Sequence, residues 1–334
     1  MTQKSSMERS NGKTRKLEGK RILVTGGAGF IGSHLVDRLS EANDVTVIDN
    51  LSAGKLEFIQ HHLDKDAITF IKGDLLNTED LDKAMAGIDI VFHLAANPDV
   101  RLGVTNTYVH IEQNVLTTYN VLEAMRKHNV KQIAFTSTCT VYGQATILPT
   151  PENYGPMIPI SIYGASKMAC EALISSFADN FGFTACTYRF ANVVGSRSTH
   201  GVTFDFVHKL KKDPTQLEIL GDGKQTKSYF YISDCVTAML HAFENNEDMY
   251  GIFNIGSKDY IDVTTIGKAV TKAMDLENVE FSYTGGVDGG RGWKGDVKTM
   301  LLSLEKLKDL GWEPEFTSTE SIEMTAKDVL RDFF

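Results

Sequence analysis

The chain has 334 residues, a length that suits two domains better than one. Apolar residues make up 42% and charged residues 23%, a globular composition, and no apolar run reaches the roughly 18 residues of a membrane span. The formal charge of −9 is unevenly spread: the first 21 residues carry seven Lys/Arg against two Asp/Glu, so the body is the acidic part and nucleic-acid binding is not expected of it.

The basic segment at 1–19 has no hydrophobic period and lacks the basic, apolar, small-residue order of a signal peptide. It reads as a disordered tail. The four cysteines, Cys139, Cys170, Cys186 and Cys235, show no metal-ligand spacing. Thiols so sparse fit a reducing cytoplasm; no disulfide framework, membrane anchor or metal site is expected.

Short β-branched runs then alternate with amphipathic stretches. Residues 21–25 (RILVT), 45–49 (VTVID), 68–72 (ITFIK), 88–94 (IDIVFHL), 132–137 (QIAFTS) and 184–190 (TACTYRF) read as strands. Helical periods lie at 31–41, 78–86, 107–128 and 163–181. Strands that are apolar without alternation have both faces covered, as in a parallel sheet. The pattern predicts an α/β fold: a doubly wound parallel sheet of the Rossmann type over 20–190, with ligands at the carboxyl ends of its strands. Beyond residue 190 the spacing loosens, and a second, smaller mixed α/β domain is expected over 191–334. Within it, 226–244 reads as one more strand and helix packing back on the first domain.

The segment from Thr25 to Gly32 (TGGAGFIG) follows the first strand and opens the first helix. Gly26 permits the tight turn, Gly29 lets backbone amides approach a pyrophosphate, and Gly32 allows close helix–strand packing. Asp49 closes the second strand, 23 residues after Gly26, where a carboxylate receives ribose hydroxyls. Taken alone, Asp49 is a turn residue before Asn50; with the glycines it predicts a dinucleotide site. An acid at that place repels a ribose phosphate, so NAD is expected over NADP. Asp74 and Leu75, just past the third strand, are placed to meet the adenine, although an isolated Asp there is more often a helix cap.

Tyr163 and Lys167 form a YxxxK pair, which recurs by chance in a chain of this composition. Its setting gives it weight, because it opens a helix after the fifth strand, 25 residues beyond Thr138. Residues i and i+4 share a helix face, so the Lys167 ammonium can lie near the Tyr163 phenol. A free tyrosine titrates near ~10. The Lys167 ammonium together with a positive nicotinamide ring favours the phenolate and pushes its pKa toward the working range. Thr138 offers a hydroxyl to bridge substrate and phenol.

The ordered series TGGAGFIGSHL, VIDN, GD at 73–74, HLAA at 93–96, Asn114, STCTVYG, YGASK, YRFANVVG, LGDGKQTKSYFYISD and GDV at 295–297 resembles the extended short-chain dehydrogenase/reductases. The resemblance is to their nucleotide-sugar epimerase/dehydratase branch, UDP-glucose 4-epimerases above all. It implies that Phe30, Ile31, Asn50, Leu94, Ala95, Ala96 and Asn114 join Gly26, Gly29, Gly32, Asp49, Asp74, Leu75, Tyr163 and Lys167 around NAD. It also implies a nucleotide sugar, most often a UDP-sugar, whose C4 hydroxyl meets Tyr163. The residues beside Thr138 then choose the reaction. Similar dehydratases carry an Asp-Glu pair there and decarboxylases a Glu in the second slot; this chain has Cys139 and Thr140. Thr140 matches the 4-epimerase pattern. Cys139 departs from the usual small residue and reads as a buried thiol, with a thiol acid or base for dehydration as the sharper alternative. A catalytically silent NAD-binding regulator is the third possibility, opposed by Thr138, Tyr163 and Lys167. The resemblance further implies that Asn192, Lys227 and Arg291 meet the substrate phosphates, although Lys227-Ser228 departs from the more usual Arg-Asp. Arg101 is a weaker candidate, and His200 reads as a loop residue. Helices at 107–128 and 163–181 pair across a two-fold axis in related proteins, so a homodimer is expected.

Overall fold

The computed structural model describes residues 16–334 apart from 288 and 294. Of the tail expected at 1–19, residues 1–15 lie outside the described part. The remainder is docked rather than free. Leu17 is buried, its main-chain N–H donates to Glu244 at 3.2 Å, and that of Gly19 to the Ala42 carbonyl at 2.8 Å.

The large sheet is parallel and has seven strands: β1 (Arg21–Thr25), β2 (Asp44–Asp49), β3 (Ile68–Lys72), β4 (Ile90–His93), β5 (Gln132–Thr138), β6 (Thr184–Phe190) and a last strand, Tyr250–Ile255. Their spatial order is Tyr250–Ile255, β6, β5, β4, β1, β2, β3, so the direction of winding reverses between β1 and β4. That reversal opens a crevice at the carboxyl edge, the usual ligand position in such sheets. Successive residues point to opposite faces: Ile22, Val24 and Phe92 pack in one core, Leu23 and Val91 in the other. Both faces are covered, which is why the strands read as unbroken apolar runs.

Two sequence expectations are corrected in detail. The strand within 226–244 is Tyr229–Tyr231, and it pairs with Asn192–Val194 rather than with the large sheet. The sheet's last strand, Tyr250–Ile255, was not marked by the sequence, because its short run follows a polar turn and contains Gly251. The helix Ile232–Asn245 does lie on the sheet: Phe243 meets Phe92 with ring centroids 5.3 Å apart, and the Tyr188 hydroxyl donates to the Met239 carbonyl at 2.9 Å. The period at 107–128 is also not one helix. Tyr108–His110 leads into a π-turn at Ile111–Leu116 and then the α-helix Thr117–Lys127. Hydroxyls of Thr117 and Thr118 donate back to the Asn114 carbonyl at 3.1 and 2.7 Å, competing with the regular ladder. Such turns inside helices gather at functional sites.

Part of the chain beyond β6 forms a separate apolar cluster. Helices Val202–Lys212, Val263–Ala273 and Ser318–Phe333 bury Phe206, Leu210, Ile266, Val270, Ile322 and Val329 against Leu217 and Ile219. This layer walls the crevice from the opposite side.

Candidate active site

A cavity of about 580 Å³ runs along the crevice, within the size range of small-molecule sites. Gly26, with φ of +70°, turns the chain out of β1; a Cβ there would stand 2.8 Å from the Ala95 nitrogen. At Gly32 a Cβ would fall 2.1 Å from the Gly26 carbonyl oxygen, so no side chain fits. The helix Phe30–Leu39 begins at Gly29 without any side-chain cap, and Gly29, Phe30, Ile31 and Gly32 line the cavity. Uncapped first-turn N–H groups facing a cavity form an anion site, and this is the observation that fits a dinucleotide pyrophosphate.

Asp49 does two things at once. Its carboxylate accepts from the main-chain N–H of Ala28 at 3.0 Å and of Leu51 at 2.8 Å, tying the glycine turn to the end of β2. It also lines the cavity beside Asn50. Burial raises its pKa, and those two N–H groups oppose the shift. Asp74 accepts from the Leu76 N–H at 2.9 Å and the Asn50 amide at 3.2 Å, and Asp74, Leu75, Leu94, Ala95 and Ala96 complete this end of the cavity.

At the end of β5 the chain turns through Cys139–Tyr142, with the Thr138 hydroxyl accepting from the Thr140 N–H and hydroxyl, both at 3.2 Å. The helix Ile162–Phe181, capped by Ser161, brings Tyr163 and Lys167 to the same place. Thr138, Cys139, Thr140, Tyr163 and Lys167 all line the cavity. Lys167 is 3% exposed; its ammonium donates to the Thr136 carbonyl at 2.9 Å and lies over the Phe135 ring. Burial lowers its pKa to about 8. Burial raises the Tyr163 phenol well above its ordinary value, with Thr138 pulling in the other direction. In the protein without a nicotinamide ring beside it, desolvation of the phenolate therefore dominates. Cys139 is pushed up to about 11 by burial, which Lys227 partly opposes, so it is a thiol at neutral pH.

Behind these groups lies a layer the sequence did not reveal. His93 is fully buried, with Nδ1 2.7 Å from the Thr25 hydroxyl and Nε2 3.0 Å from that of Thr118. Thr25 accepts from the N–H groups of Leu94 and Ala95, so its own proton goes to Nδ1 and His93 carries hydrogen on Nε2. Burial, with a smaller effect of Lys167, holds the imidazole neutral with a pKa of about 3. Glu171 and Arg189 form a buried ion pair at 2.6 Å; Glu171 also accepts from Ser137 at 2.5 Å, and Arg189 donates to the Tyr142 hydroxyl at 3.0 Å. Glu171 sits one turn beyond Lys167, and Ser137 precedes Thr138, so the pair fixes both elements that carry the reactive groups. A Glu four residues after the lysine was the only sequence signal for it.

Asn114, expected on the cofactor, is buried next to Gln113 and Thr117, which line the cavity. Its side-chain oxygen accepts from the Asn97 N–H at 2.8 Å and its amide donates to Ser166 at 2.9 Å, which leaves it positioning the wall. On the substrate side, Asn192 lines the cavity while its amide donates to the Ser228 carbonyl at 3.0 Å. Lys227 also lines it, but its charge is met by Asp296 at 2.5 Å and it lies over the Trp293 ring. Arg291 is not on the cavity wall. Its backbone pairs with Val287, and its Nε is buried without a partner, as is Trp293 Nε1. His200, exposed, stands at the cavity edge, and Arg101 is exposed beside Asp99.

Comparison with known proteins agrees with this geometry. Residues 22–256 match the model of the NAD dependent epimerase/dehydratase family. The chain is 31% identical over 321 residues to a UDP-glucose 4-epimerase of Corynebacterium glutamicum, covering 90% of this chain and 93% of that protein. A crystal structure of a UDP-galactose 4-epimerase superposes with a TM-score of 0.83 at 41% identity, covering 94% of this chain and all of the other. A Thermus thermophilus UDP-glucose 4-epimerase in complex with NAD superposes with a TM-score of 0.81 at 31% identity, covering 93% of this chain and 99% of the other. The chain therefore belongs to the NAD dependent epimerase/dehydratase family, as an extended short-chain dehydrogenase/reductase most like the nucleotide-sugar 4-epimerases, with NAD as its cofactor.

Proposed function

We propose that the chain interconverts the C4 epimers of a UDP-sugar through a transient 4-keto sugar. The observation that carries this reading is the meeting of Thr138, Tyr163 and Lys167 on one cavity wall, with Thr140 where an eliminating enzyme of the family would need a carboxylate. Glycines at 26, 29 and 32, the uncapped helix start and Asp49 would hold NAD, which when bound supplies the reversible hydride acceptor. Tyr163 takes the proton of the C4 hydroxyl and returns it after the sugar has presented its other face. Thr138 holds the same sugar oxygen, and Lys167 keeps a positive charge against the ring of residues that must carry that proton. Because burial raises the phenol, Tyr163 waits protonated until a further positive charge enters the site.

Elimination fits less well. Its one novel candidate base, Cys139, is a thiol whose pKa burial has pushed up to about 11, the wrong direction for a base. A silent regulator fits least, since all three reactive groups are present. The test is product analysis by NMR after incubation with UDP-glucose, UDP-N-acetylglucosamine and UDP-glucuronate, on the natural chain and on Cys139→Ala. A 4-epimer from both proteins supports the reading. An unsaturated or deoxy-keto product, or NADH accumulating without product in Cys139→Ala, overturns it.

The homodimer belongs to the same reading. Tyr108, Ile111, Leu116, Tyr119 and Phe181 remain exposed on the helical segments 108–127 and 162–181, an apolar strip that a second copy would cover. Light scattering giving a monomer at micromolar concentration would defeat it. Cys139, Cys170 and Cys235 are in no disulfide, and no helix among the described residues is long and apolar enough to cross a membrane; a cytoplasmic location is the reading these fit.

A further inference from the structure

Away from the cavity, Asp37, His61 and His62 bring three ligand atoms within 4.8 Å of one another. Asp37 lies in the third turn of the helix Phe30–Leu39, and the two histidines lie in the single turn Gln60–Leu63. Both imidazole Nε2 atoms meet the same carboxylate oxygen, at 3.1 Å from His61 and 2.7 Å from His62. Neighbours in sequence seldom aim at one atom. Here the rings lie against each other with centroids 4.0 Å apart, so both edges face Asp37. The second carboxylate oxygen is held by Arg197 at 2.9 Å, which fixes the carboxylate with Oδ1 toward the histidines.

We propose that Asp37, His61 and His62 form a divalent transition-metal site of the zinc, cobalt or nickel class. Two imidazoles and one carboxylate are a known donor set for such ions, with a fourth position left to water. Bonds of about 2.0–2.1 Å put tetrahedral ligand atoms roughly 3.3 Å apart, so the His61–Asp37 and His62–Asp37 separations of 3.1 and 2.7 Å need to open by roughly half an ångström or less. His61 and Asp37 are partly exposed, which allows that movement and gives the ion a way in. Binding moves each imidazole proton from Nε2 to Nδ1 by exchange with water and frees the Nε2 lone pair. Arg197 acts as the outer partner that orients the carboxylate, a common arrangement around metal ligands.

The site joins three segments that wall the cavity. The helix Phe30–Leu39 starts at the glycine turn, the segment 50–63 begins at Asn50, and Arg197 precedes Ser198, Thr199 and His200 on the cavity edge. A bound ion ties them together on the side away from the ligand. A His-His dipeptide is all that marks it in the sequence, since Asp37 lies 24 residues away from His61.

Cobalt(II) titration of the tag-free full chain tests this. We expect the visible absorption of tetrahedral cobalt, abolished by added zinc, and one zinc per chain by equilibrium dialysis. The paired substitution His61→Gln and His62→Gln, at a surface turn, should weaken zinc by on the order of 100-fold or more while leaving the melting curve of the metal-free chain in place. Cys139→Ser should retain the cobalt spectrum, since the thiol is the competing donor. Absence of stoichiometric zinc at sub-millimolar free metal overturns the proposal, as does equal binding by the double histidine variant.

Discussion

The two ends of the cavity are built differently. At the cofactor end the contacts come from main chain and from short segments at the ends of β1, β2 and β4, with Gly26, Gly29 and Gly32 held in place by their own packing. At the substrate end the wall is made of side chains on separated segments, with Lys227 committed to Asp296 and the Trp293 indole N–H left without a hydrogen-bond acceptor. Backbone at the glycine turn, braced by the Asp49 carboxylate, suits a group that never changes. A group that varies among substrates is bound by side chains that can be exchanged. The reactive groups lie between the two ends, on β5 and the helix after it.

The sharpest break between binding and chemistry is Tyr163→Phe. It removes one oxygen from a buried site and should leave NAD content unchanged, while turnover falls on the order of 10²–10⁴. Equal loss of NAD would mean that the two ends are not separable. Glu171→Gln comes next. Removing one partner of a buried ion pair leaves Arg189 uncompensated and should cost about 3–5 kcal/mol in chemical denaturation. If the pair only supports the reactive wall, turnover in the folded fraction should drop without a change in NAD selectivity.

Asp49→Ala tests the cofactor end itself. A carboxylate that accepts ribose hydroxyls contributes about 1.5–3 kcal/mol, so NAD affinity should fall roughly 10- to 100-fold and rejection of NADP should relax, while losing the bonds from Ala28 and Leu51 loosens the glycine turn. Unchanged selectivity would reduce Asp49 to its turn role. The smallest effect concerns pH. Lys167 has its pKa lowered from 10.5 to about 8 by burial, so between those values the unfolded chain binds more protons at this residue than the folded one. Stability contributed by this group therefore rises with pH across that window and is lowest below about 8. Lys167→Met should flatten that rise in denaturation curves measured across the window; an unchanged slope would show that the ammonium is better solvated than its burial implies.

Much of this was legible from residues alone. Strands apolar on both faces, a glycine turn between a strand and a helix, an acid ending the next strand, and a Tyr–Lys pair one turn apart are local patterns, and each sits where its period places it. Lys227 and Arg291 could not be judged in this way. Whether a cation faces a ligand or a neighbouring carboxylate depends on what folds against it, and Asp296 lies 69 residues from Lys227. Asn114 shows the same limit within a helical segment: its bonds to Asn97 and Ser166 depend on segments 17 and 52 residues away.

The sequence by itself determined six of the seven strands, the glycine turn and the candidate reactive groups, because strands and turns follow from local spacing and the Tyr–Lys pair from one helical turn. Only the tertiary structure decided their electrostatics. Desolvation raised Tyr163, lowered Lys167 and made Cys139 an unreactive thiol, and it held His93 neutral. Burial is a property of everything packed around a residue, so no local pattern encodes it. The same is true of the Asp37–His61–His62 cluster, which exists because a helix and a linker turn meet in space.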